Sequence, residues 1–310
     1  MTGAVVKIAI TGPTGVIGSE MVELALSSSH DVIAITRPGS SRNANIGASN
    51  HLKIIECDIS DYDSIAGKEK CDIFFHLAWK STNVNNRDDL YPQVDNIRYT
   101  LDAVRLAHSW GAKMFVGAGS QAEYGPSHGI IDETTPERPE SGYGMAKLSA
   151  GMMSKLLGKQ LGIKVCWARI LSVYGKRDMD HTLIMYIIKT LMKNESPELT
   201  KCEQIWDYLY AKDAAKAMIA IGLKGKDGKT YPVASGRNRK LSEYVLDIKN
   251  VLKSNAEIRF GAKDYYPHQP MVVAADISGL TEDTGFVPEY SFKEGIREMI
   301  DFLRGEDRAE

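Results

Sequence analysis

The chain has 310 residues and a formal net charge of −2, with acidic and basic residues mixed along its whole length. It shows no basic stripe of the kind that binds nucleic acid, and no apolar run approaches the ~20 residues needed to span a bilayer. Neither the seven histidines nor the four cysteines (Cys57, Cys71, Cys166 and Cys202) follow metal-site spacing. We therefore predict a cytoplasmic protein with reduced cysteines and no metal site, and with neither nucleic acid nor membrane as a partner.

The first half of the chain alternates short β-branched runs with longer amphipathic stretches. Strands are predicted over residues 5–10, 32–36, 53–56, 72–76, 113–118 and 165–169. Helices are predicted over residues 16–28, 94–109 and 144–161, where apolar residues recur at three- and four-residue intervals. Strand–helix alternation of this kind predicts an α/β fold, a Rossmann-type doubly wound parallel sheet with helices on both faces.

Beyond residue 175 the pattern is less regular. It predicts a helix over 183–192, a strand–helix unit over 204–210 and 213–221, a helix from 241, short strands near 258 and 272, and a last helix over 293–302. We expect residues 1–175 to form a dinucleotide-binding Rossmann domain to which 204–235 return, and 176–203 and 236–310 to form a smaller C-terminal substrate-binding lobe. Because open α/β sheets bind ligands at the carboxyl ends of their strands, the lobe is predicted to close over that edge.

A glycine-rich turn joins the first predicted strand to the first helix. It reads Thr11-Gly12-Pro13-Thr14-Gly15-Val16-Ile17-Gly18, with GxxGxxG spacing. Such a turn lets the backbone approach a pyrophosphate, whose charge then lies at the amides that begin the helix. The turn predicts a dinucleotide site; the alternative is a tight turn without a ligand.

The end of the second strand bears on the choice of dinucleotide. NAD sites usually place a carboxylate there, but this strand ends Ile35-Thr36-Arg37, and Asp31 lies at its opposite end. An arginine in that corner can bind a 2′-phosphate, and Arg42 in the next loop can assist it. We therefore predict NADP as the cofactor, with NAD as the alternative; a solvated surface role for Arg37 also stays open.

Three polar residues form a candidate catalytic group. Tyr143 and Lys147 are four residues apart and so lie on one helical face, while Ser120 ends a predicted sheet strand. A tyrosine hydroxyl titrates near ~10 in water, so a neighbouring ammonium is expected to make its proton mobile near neutral pH. Ser120 would hydrogen-bond the substrate oxygen that Tyr143 protonates. The alternative is an exposed Tyr and Lys on a helix surface.

At these residues the chain resembles the extended short-chain dehydrogenase/reductase family, in its group of nucleotide-sugar epimerases, dehydratases and reductases. The matching segments are residues 11–18, Asp58-Ile59, His76-Leu77-Ala78, Asn96, Ser120 with Tyr124-Gly125, Tyr143/Lys147, Arg169 with Val173-Tyr174-Gly175, and Trp206-Asp207-Tyr208 with Asp213. The resemblance implies that Asp58 and Ile59 flank the adenine, that Leu77 and Ala78 line the cofactor, and that Ser120, Tyr143 and Lys147 are catalytic. It also implies a homodimer formed through the helices over 94–109 and 144–161.

Within this group the chain is most similar to 4-ketosugar reductases such as the CDP-abequose and CDP-paratose synthases. The similarity lies in residues 32–37, 203–205 and 285–288. The chain also departs from the family. Family dehydratases have an acidic pair after the catalytic serine, where this chain has Gln121-Ala122, so no general base for dehydration is expected there.

Several residues are candidates for binding the substrate. Ser172 stands where the family often has Asn near the diphosphate, and Trp206 replaces an arginine that grips a phosphate, leaving Arg177 and Lys263 as candidates for that anion. Trp79 and Lys80 follow the fourth strand and are expected to face the active site. His76 is expected to be structural, while Tyr124 and Tyr174 either line the sugar pocket or pack in the core.

These features predict an NADP(H)-dependent oxidoreductase that reduces a keto group, at C4, of a nucleotide-diphosphate sugar. The alternative is an NAD-dependent 4-epimerase on the same scaffold, which oxidises and re-reduces one carbon. A non-catalytic dinucleotide sensor would need the glycine turn but neither Tyr143 nor Lys147, and so accounts for fewer of the residues.

Overall fold

The structure is a computed structural model that describes residues 5–82, 86–126, 129–132, 134–266 and 269–306. Within these ranges the strands are β1 (Lys7–Thr11), β2 (Asp31–Thr36), β3 (Leu52–Glu56), β4 (Ile73–His76), β5 (Met114–Ser120), β6 (Lys164–Ile170), β7 (Ser172–Tyr174), β8 (Glu198–Leu199), β9 (Ile205–Trp206), β10 (Tyr208–Tyr210), β11 (Thr230–Val233), β12 (Arg239–Lys240), β13 (Arg259–Phe260) and β14 (Val272–Val273). The helices are α1 (Val16–Ser27), α2 (Leu90–Ser109), α3 (Gly142–Leu161), α4 (Leu183–Met192), α5 (Ala211–Lys224), α6 (Leu241–Leu252), α7 (Ser278–Thr284) and α8 (Phe292–Glu306).

A parallel sheet with the strand order β11-β6-β5-β4-β1-β2-β3 forms the centre of the fold. Its central strands are buried on both faces, which explains their continuous runs of apolar residues. Helices α1 and α5 cover one face, where Met21 and Met218 pack in its apolar core, and α2 covers the other with Tyr99 and Val104. The predicted fold class is confirmed.

The six strands predicted for this sheet are present, with ends that shift by one or two residues. The seventh, β11, was missed because it includes Pro232, which lacks an amide hydrogen and is unusual within a strand. It lies at the edge of the sheet beside β6, where a proline is tolerated. The short helix α7 was also missed.

The strand predicted over residues 204–210 is wrong, because it is two short strands in different sheets. Strand β9 pairs with β12 and β14, whereas β10 pairs with β7. The chain changes sheet at Asp207, whose buried carboxylate accepts hydrogen bonds from the amides of Ser235 and Gly236 at 2.8 Å. These contacts attach the segment to the loop after β11.

Helices α4, α6 and α8 enclose a separate apolar cluster that includes Ile188, Ile248 and Ile296. All four cysteines are buried and free. Among the described helices, none combines the length and the apolar character that a membrane crossing requires.

Candidate active site

The glycine turn brings β1, α1 and the end of β4 close together. Gly12 has a φ of +70°, and a β-carbon there would lie 3.0 Å from the Ala78 nitrogen. A β-carbon on Gly18 would lie 2.2 Å from the Gly12 oxygen, so α1 presses directly on the turn. A β-carbon on Gly15 would meet only that same oxygen, at 3.5 Å, and otherwise face open space. Gly15 is therefore where the turn leaves room for a ligand.

The first amides of helix α1, at residues 16–18, lie beside that space and have no hydrogen-bond partner among the described residues. Gly15 caps it without a side-chain hydrogen bond, and its first turn holds no acidic residue. Such a helix end attracts a phosphate through its free N–H groups and its dipole. The turn therefore fits the pyrophosphate of a dinucleotide, with the half-exposed Thr14 and Val16 beside it, whereas the Ile17 side chain belongs to the core.

The end of β2 carries positive charge. Arg37 is exposed directly after the strand, and Arg42 lies in a short 3-10 turn over Ser41–Asn45, in a groove shared with Thr14 and Arg177. No carboxylate in the described chain forms an ion pair with Arg37. The hydroxyl of the buried Thr36 has no hydrogen-bond partner among the described residues. This corner fits an anion, and the role of Arg37 stays a prediction.

Asp58, after β3, is held ionised by its neighbours. Hydrogen bonds from Ser60 lower the pKa of Asp58 to about 2, assisted by the Lys80 ammonium at 3.1 Å. Lys80 pairs with Asp58 and lies 5.0 Å from the centre of the Tyr99 ring, and its contact with the substrate stays a prediction. Ile59 is buried among the apolar side chains under α2.

Ser120, Tyr143 and Lys147 meet at the carboxyl end of β5. Helix α3 begins at Gly142, one residue after Ser141, whose hydroxyl accepts the Gly144 amide at 3.1 Å. This start places the Tyr143 side chain beside Ser120, whose side chain lowers the Tyr143 pKa. One turn further on, Lys147 is only 4% exposed, and its Nζ donates to the Ala118 carbonyl at 2.7 Å.

Trp79 connects this group to the glycine turn. The Lys147 Nζ lies 3.7 Å from the centre of the Trp79 ring, and the Tyr143 ring meets it edge-on at 6.0 Å between centroids. The indole N–H of Trp79 donates to Gln93 Oε1 at 2.9 Å, which fixes the ring. Ala78 lies against Gly12, and the next residue, Trp79, contacts Tyr143 and Lys147. The same short segment therefore joins the glycine turn to the catalytic candidates.

The ionisation of this group differs from the sequence expectation. Burial raises the pKa of Tyr143, opposed by the Arg87 guanidinium, which lies 4.8 Å from the ring centre, and by the Ser120 side chain. Burial also lowers the pKa of Lys147 to about 7, opposed by the charge of Glu123. The Arg87 guanidinium is thus a cation that lowers the Tyr143 pKa, while the Lys147 Nζ, which binds Ala118 and faces Trp79, lies 5.8 Å from the centre of the Tyr143 ring.

His76 has a structural position at the end of β4. Its ring nitrogens lie 2.9 Å from the Thr11 hydroxyl and 3.4 Å from that of Thr100. Burial, together with the charge of Lys147, lowers its pKa to about 3, so the ring is neutral. In the described part of the chain, no three His, Cys, Asp or Glu side chains are grouped to hold a metal ion.

The substrate candidates are distributed over several places. Gln121 directly follows Ser120 in a 3-10 turn, and Ser172 begins β7, both half-buried. Trp206 packs against the cluster that contains Tyr124, and its buried indole N–H has no partner among the described residues.

Two candidates for an anion lie elsewhere. Arg177 pairs with Glu23 at 3.1 Å and lines the groove beside the glycine turn, apart from the catalytic candidates. Lys263 lies 5.2 Å from the centre of the Tyr186 ring in the C-terminal lobe.

Two residues of the site were missed in the sequence. Arg87 lies in a loop without a recognisable pattern; its carbonyl accepts the Tyr143 amide at 2.9 Å. Glu123 had a signal, since Ser-x-x-Glu is the spacing of a capping box. Its fully buried carboxylate accepts the Ser120 amide at 2.7 Å.

Residues 8–234 match the family described as the NAD dependent epimerase/dehydratase family. A putative UDP-glucose 4-epimerase of Methanocaldococcus jannaschii is 26% identical over 97% of this chain and 100% of its own length. A dTDP-glucose 4,6-dehydratase of Neisseria gonorrhoeae is 24% identical over 95% of this chain and 94% of its own.

Among solved structures, the UDP-N-acetylglucosamine 4-epimerase of Methanobrevibacter ruminantium superposes with a TM-score of 0.88. It is 25% identical, and the match covers 98% of this chain and 100% of that one. The narrower similarity to CDP-abequose and CDP-paratose synthases is not tested by these relatives and stays a prediction. The family match spans most of the chain, and the chain therefore belongs to the NAD dependent epimerase/dehydratase family, a group of extended short-chain dehydrogenase/reductase enzymes.

Proposed function

We propose that the chain is a 4-epimerase of a nucleotide-diphosphate sugar. The observation that carries the proposal is the group of Ser120, Tyr143 and Lys147, connected through Trp79 to a turn that fits a dinucleotide. The full-length similarity to a putative UDP-glucose 4-epimerase and to a UDP-N-acetylglucosamine 4-epimerase supports this choice over the ketosugar reduction predicted from sequence.

The dinucleotide would be held by residues 12–18, Asp58, Leu77 and Ala78, and Lys147 would bind its ribose hydroxyls. When bound, its nicotinamide supplies reversible hydride acceptance at the sugar carbon. Tyr143 would take the proton of the C4 hydroxyl while that carbon is oxidised, and return it when the ketone is reduced from the other face. This requires the phenolate, so the cations beside the ring, Arg87 and Lys147, would have to offset the rise in the Tyr143 pKa that burial causes. Ser120 hydrogen-bonds the same oxygen in both directions.

Dehydration is disfavoured by the turn after Ser120. Gln121 and Ala122 offer no carboxylate there, and the acid of that turn, Glu123, is fully buried against Arg169 and Trp167. A base that removes a C5 proton must reach the sugar, which a carboxylate engaged in the core cannot do.

A second candidate is the NADPH-dependent reduction of a 4-ketosugar. It is favoured by Arg37 and Arg42, which put positive charge at the end of β2 where NAD sites usually have a carboxylate. The two functions differ in their cofactor, because an epimerase regenerates its dinucleotide in each cycle whereas a reductase consumes it.

One experiment separates them. The purified protein is analysed by native mass spectrometry, and then incubated without added dinucleotide with UDP-glucose or UDP-N-acetylglucosamine that carries deuterium at C4. Co-purified NAD and a C4 epimer that retains the deuterium support the epimerase. An empty protein that binds NADPH and oxidises it only in the presence of a 4-ketosugar overturns the epimerase in favour of the reductase.

We also propose a homodimer formed through α2 and α3, which pack side by side. Both helices expose large apolar side chains to solvent, and an exposed apolar patch of this kind is typical of a protein–protein interface. The residues concerned are Leu90, Tyr91, Val94, Met145, Met152, Met153 and Leu156. Light scattering should give a dimer mass for the wild type and a monomer mass for Met152→Lys/Leu156→Lys; a monomeric wild type would contradict the proposal.

A further inference from the structure

We propose that Glu123 is a positioning residue that, held by Arg169 and Trp167, fixes Ser120 against Tyr143. The inference rests on the proposed catalytic roles of Ser120 and Tyr143. The fully buried Glu123 carboxylate has no part in the catalytic roles proposed above, and the inference gives it one.

The contacts of Glu123 are directed at the serine. Its Oε1 accepts the Ser120 amide at 2.7 Å, while the Ser120 hydroxyl accepts the Ala122 amide at 3.2 Å, so each end of the short turn binds the other. The two carboxylate oxygens also accept the Trp167 indole N–H at 3.0 and 3.2 Å, and Oε2 accepts Arg169 Nε at 2.6 Å. A buried carboxylate with this many donors is held in one orientation, and it holds Ser120 in turn.

Trp167 sets the spacing between the strand of Ser120 and the helix of Tyr143. A β-carbon on Gly117 or Gly119 of β5 would lie 2.1 or 2.3 Å from its ring atoms, and one on Gly151 of α3 would lie 2.8 Å away. The indole therefore occupies the space that three glycines leave between β5 and α3. Its hydrogen bond to Glu123 fixes the carboxylate relative to both elements.

Arg169 extends the same contacts to the loop that precedes α3. Its Nε binds Glu123, its Nη2 pairs with Glu137 at 2.9 Å, and its guanidinium lies 4.5 Å from the centre of the Tyr124 ring. Because Glu137 precedes α3 by only a few residues, Arg169 links the turn that carries the serine to the start of the helix that carries the tyrosine.

The charge of Glu123 also acts on the two titrating groups. It raises the pKa of Lys147 against the effect of burial, and it raises the pKa of Tyr143, which Arg87 and Ser120 lower. His76, the other titratable group beside Lys147, is neutral. Removing the charge of Glu123 should therefore lower both pKa values, an effect that a purely structural role would not have.

The test compares Glu123→Gln with Glu137→Gln, which removes the partly exposed carboxylate on Arg169 but leaves the Ser120 contact. We expect Glu123→Gln to lower kcat about 10- to 100-fold, because a small misplacement of a catalytic group is enough for that loss. The KM and the NAD affinity should stay within about 2-fold, and both limbs of the pH–kcat profile should move to lower pH. Glu137→Gln should lower kcat less than Glu123→Gln does, and both limbs of its pH–kcat profile should stay at the wild-type pH.

Tyr143→Phe serves as the reference for the proposed function. If it keeps wild-type turnover, the proposed catalytic group is wrong; if it is inactive while Glu123→Gln has wild-type kcat and pH limbs, only the positioning role is wrong. Thermal melting and NAD titration establish that each variant is folded. Glu123→Gln leaves the buried Arg169 guanidinium without its Glu123 partner, and this could prevent folding. In that case the double variant Glu123→Gln/Arg169→Gln is measured instead. The same loss of kcat with shifted limbs supports the inference, and a wild-type profile overturns it.

Discussion

The ammonium of Lys147 lies between the face of the Trp79 ring, 3.7 Å from its centre, and the Ala118 carbonyl, 2.7 Å from its oxygen. An aromatic face and a carbonyl oxygen both attract a cation, and a desolvated cation–π contact contributes about 2 kcal/mol. Together they hold the lysine ammonium in one position.

Trp79→Ala should therefore lower kcat about 10-fold, because it removes the aromatic face and admits water to Lys147. Trp79→Phe keeps the face and loses only the hydrogen bond to Gln93, so its loss should be smaller. Steady-state kinetics of both variants check this, and equal kcat in Trp79→Ala and the wild type would show that the ring has no such role.

Tyr143→Phe should lower turnover by about 100-fold or more, because the hydroxyl that exchanges the proton is gone. Its affinity for the dinucleotide should hardly change, since the glycine turn is untouched. Calorimetric titration and turnover measured together check this. A comparable loss of both would mean that Tyr143 is a structural residue.

Arg37→Asp should shift the preference from NADP toward NAD. The sequence predicts that the exposed Arg37 binds a 2′-phosphate, whereas a carboxylate there accepts hydrogen bonds from ribose hydroxyls. The ratio of the two dissociation constants is the measurement. An unchanged ratio would remove Arg37 from the site.

Gly15→Ala and Gly18→Ala should fail in different ways. A methyl group on Gly15 faces open space, so that variant should fold normally and bind the dinucleotide at least about 10-fold more weakly. A methyl group on Gly18 meets the Gly12 oxygen, so that variant should lose about 1–3 kcal/mol of stability. Melting curves and NAD titrations of both check this; normal binding by folded Gly15→Ala would place the pyrophosphate elsewhere.

Lys147→Met should stabilise the ligand-free protein by about 1 kcal/mol or more near neutral pH and below, since it removes a buried ammonium whose pKa is about 7. An unfolded lysine titrates near ~10.4, so between pH 7 and ~10 the unfolded wild type binds more protons than the folded one. Wild-type stability therefore rises with pH over that window, and the advantage of Lys147→Met shrinks. Chemical denaturation at pH 6, 8 and 10 measures this; a constant difference would contradict it.

Most of the sheet was predictable because its strands are apolar runs, and because β1 and β4 each lead to a helix with clear periodicity. The exceptions have physical causes. Strand β11 is a short edge strand containing Pro232, and the segment 204–210 divides at Asp207, where contacts with a distant loop override the local β propensity. Such tertiary contacts leave no periodic signal in the sequence.

The candidate site was predictable where function depends on spacing, as with Tyr143 and Lys147 on one helical face. The environment of each group was not. That Arg87 acts on the Tyr143 pKa depends on where a loop places a guanidinium. The pairing of Lys80 with Asp58 depends on the segments after β4 and β3 meeting, although these strands are not neighbours in the sheet. Side-chain direction in a folded site is decided by packing, which spacing alone does not encode.

The indole of Trp167 and the three glycines around it share a single volume. A smaller side chain at position 167 would open a cavity between β5 and α3. A side chain at Gly117, Gly119 or Gly151 would collide with the indole, so it would require a smaller residue at position 167. These four positions are therefore expected to covary during divergence, so that homologues with a small residue at 167 carry bulkier residues at one or more of the other three.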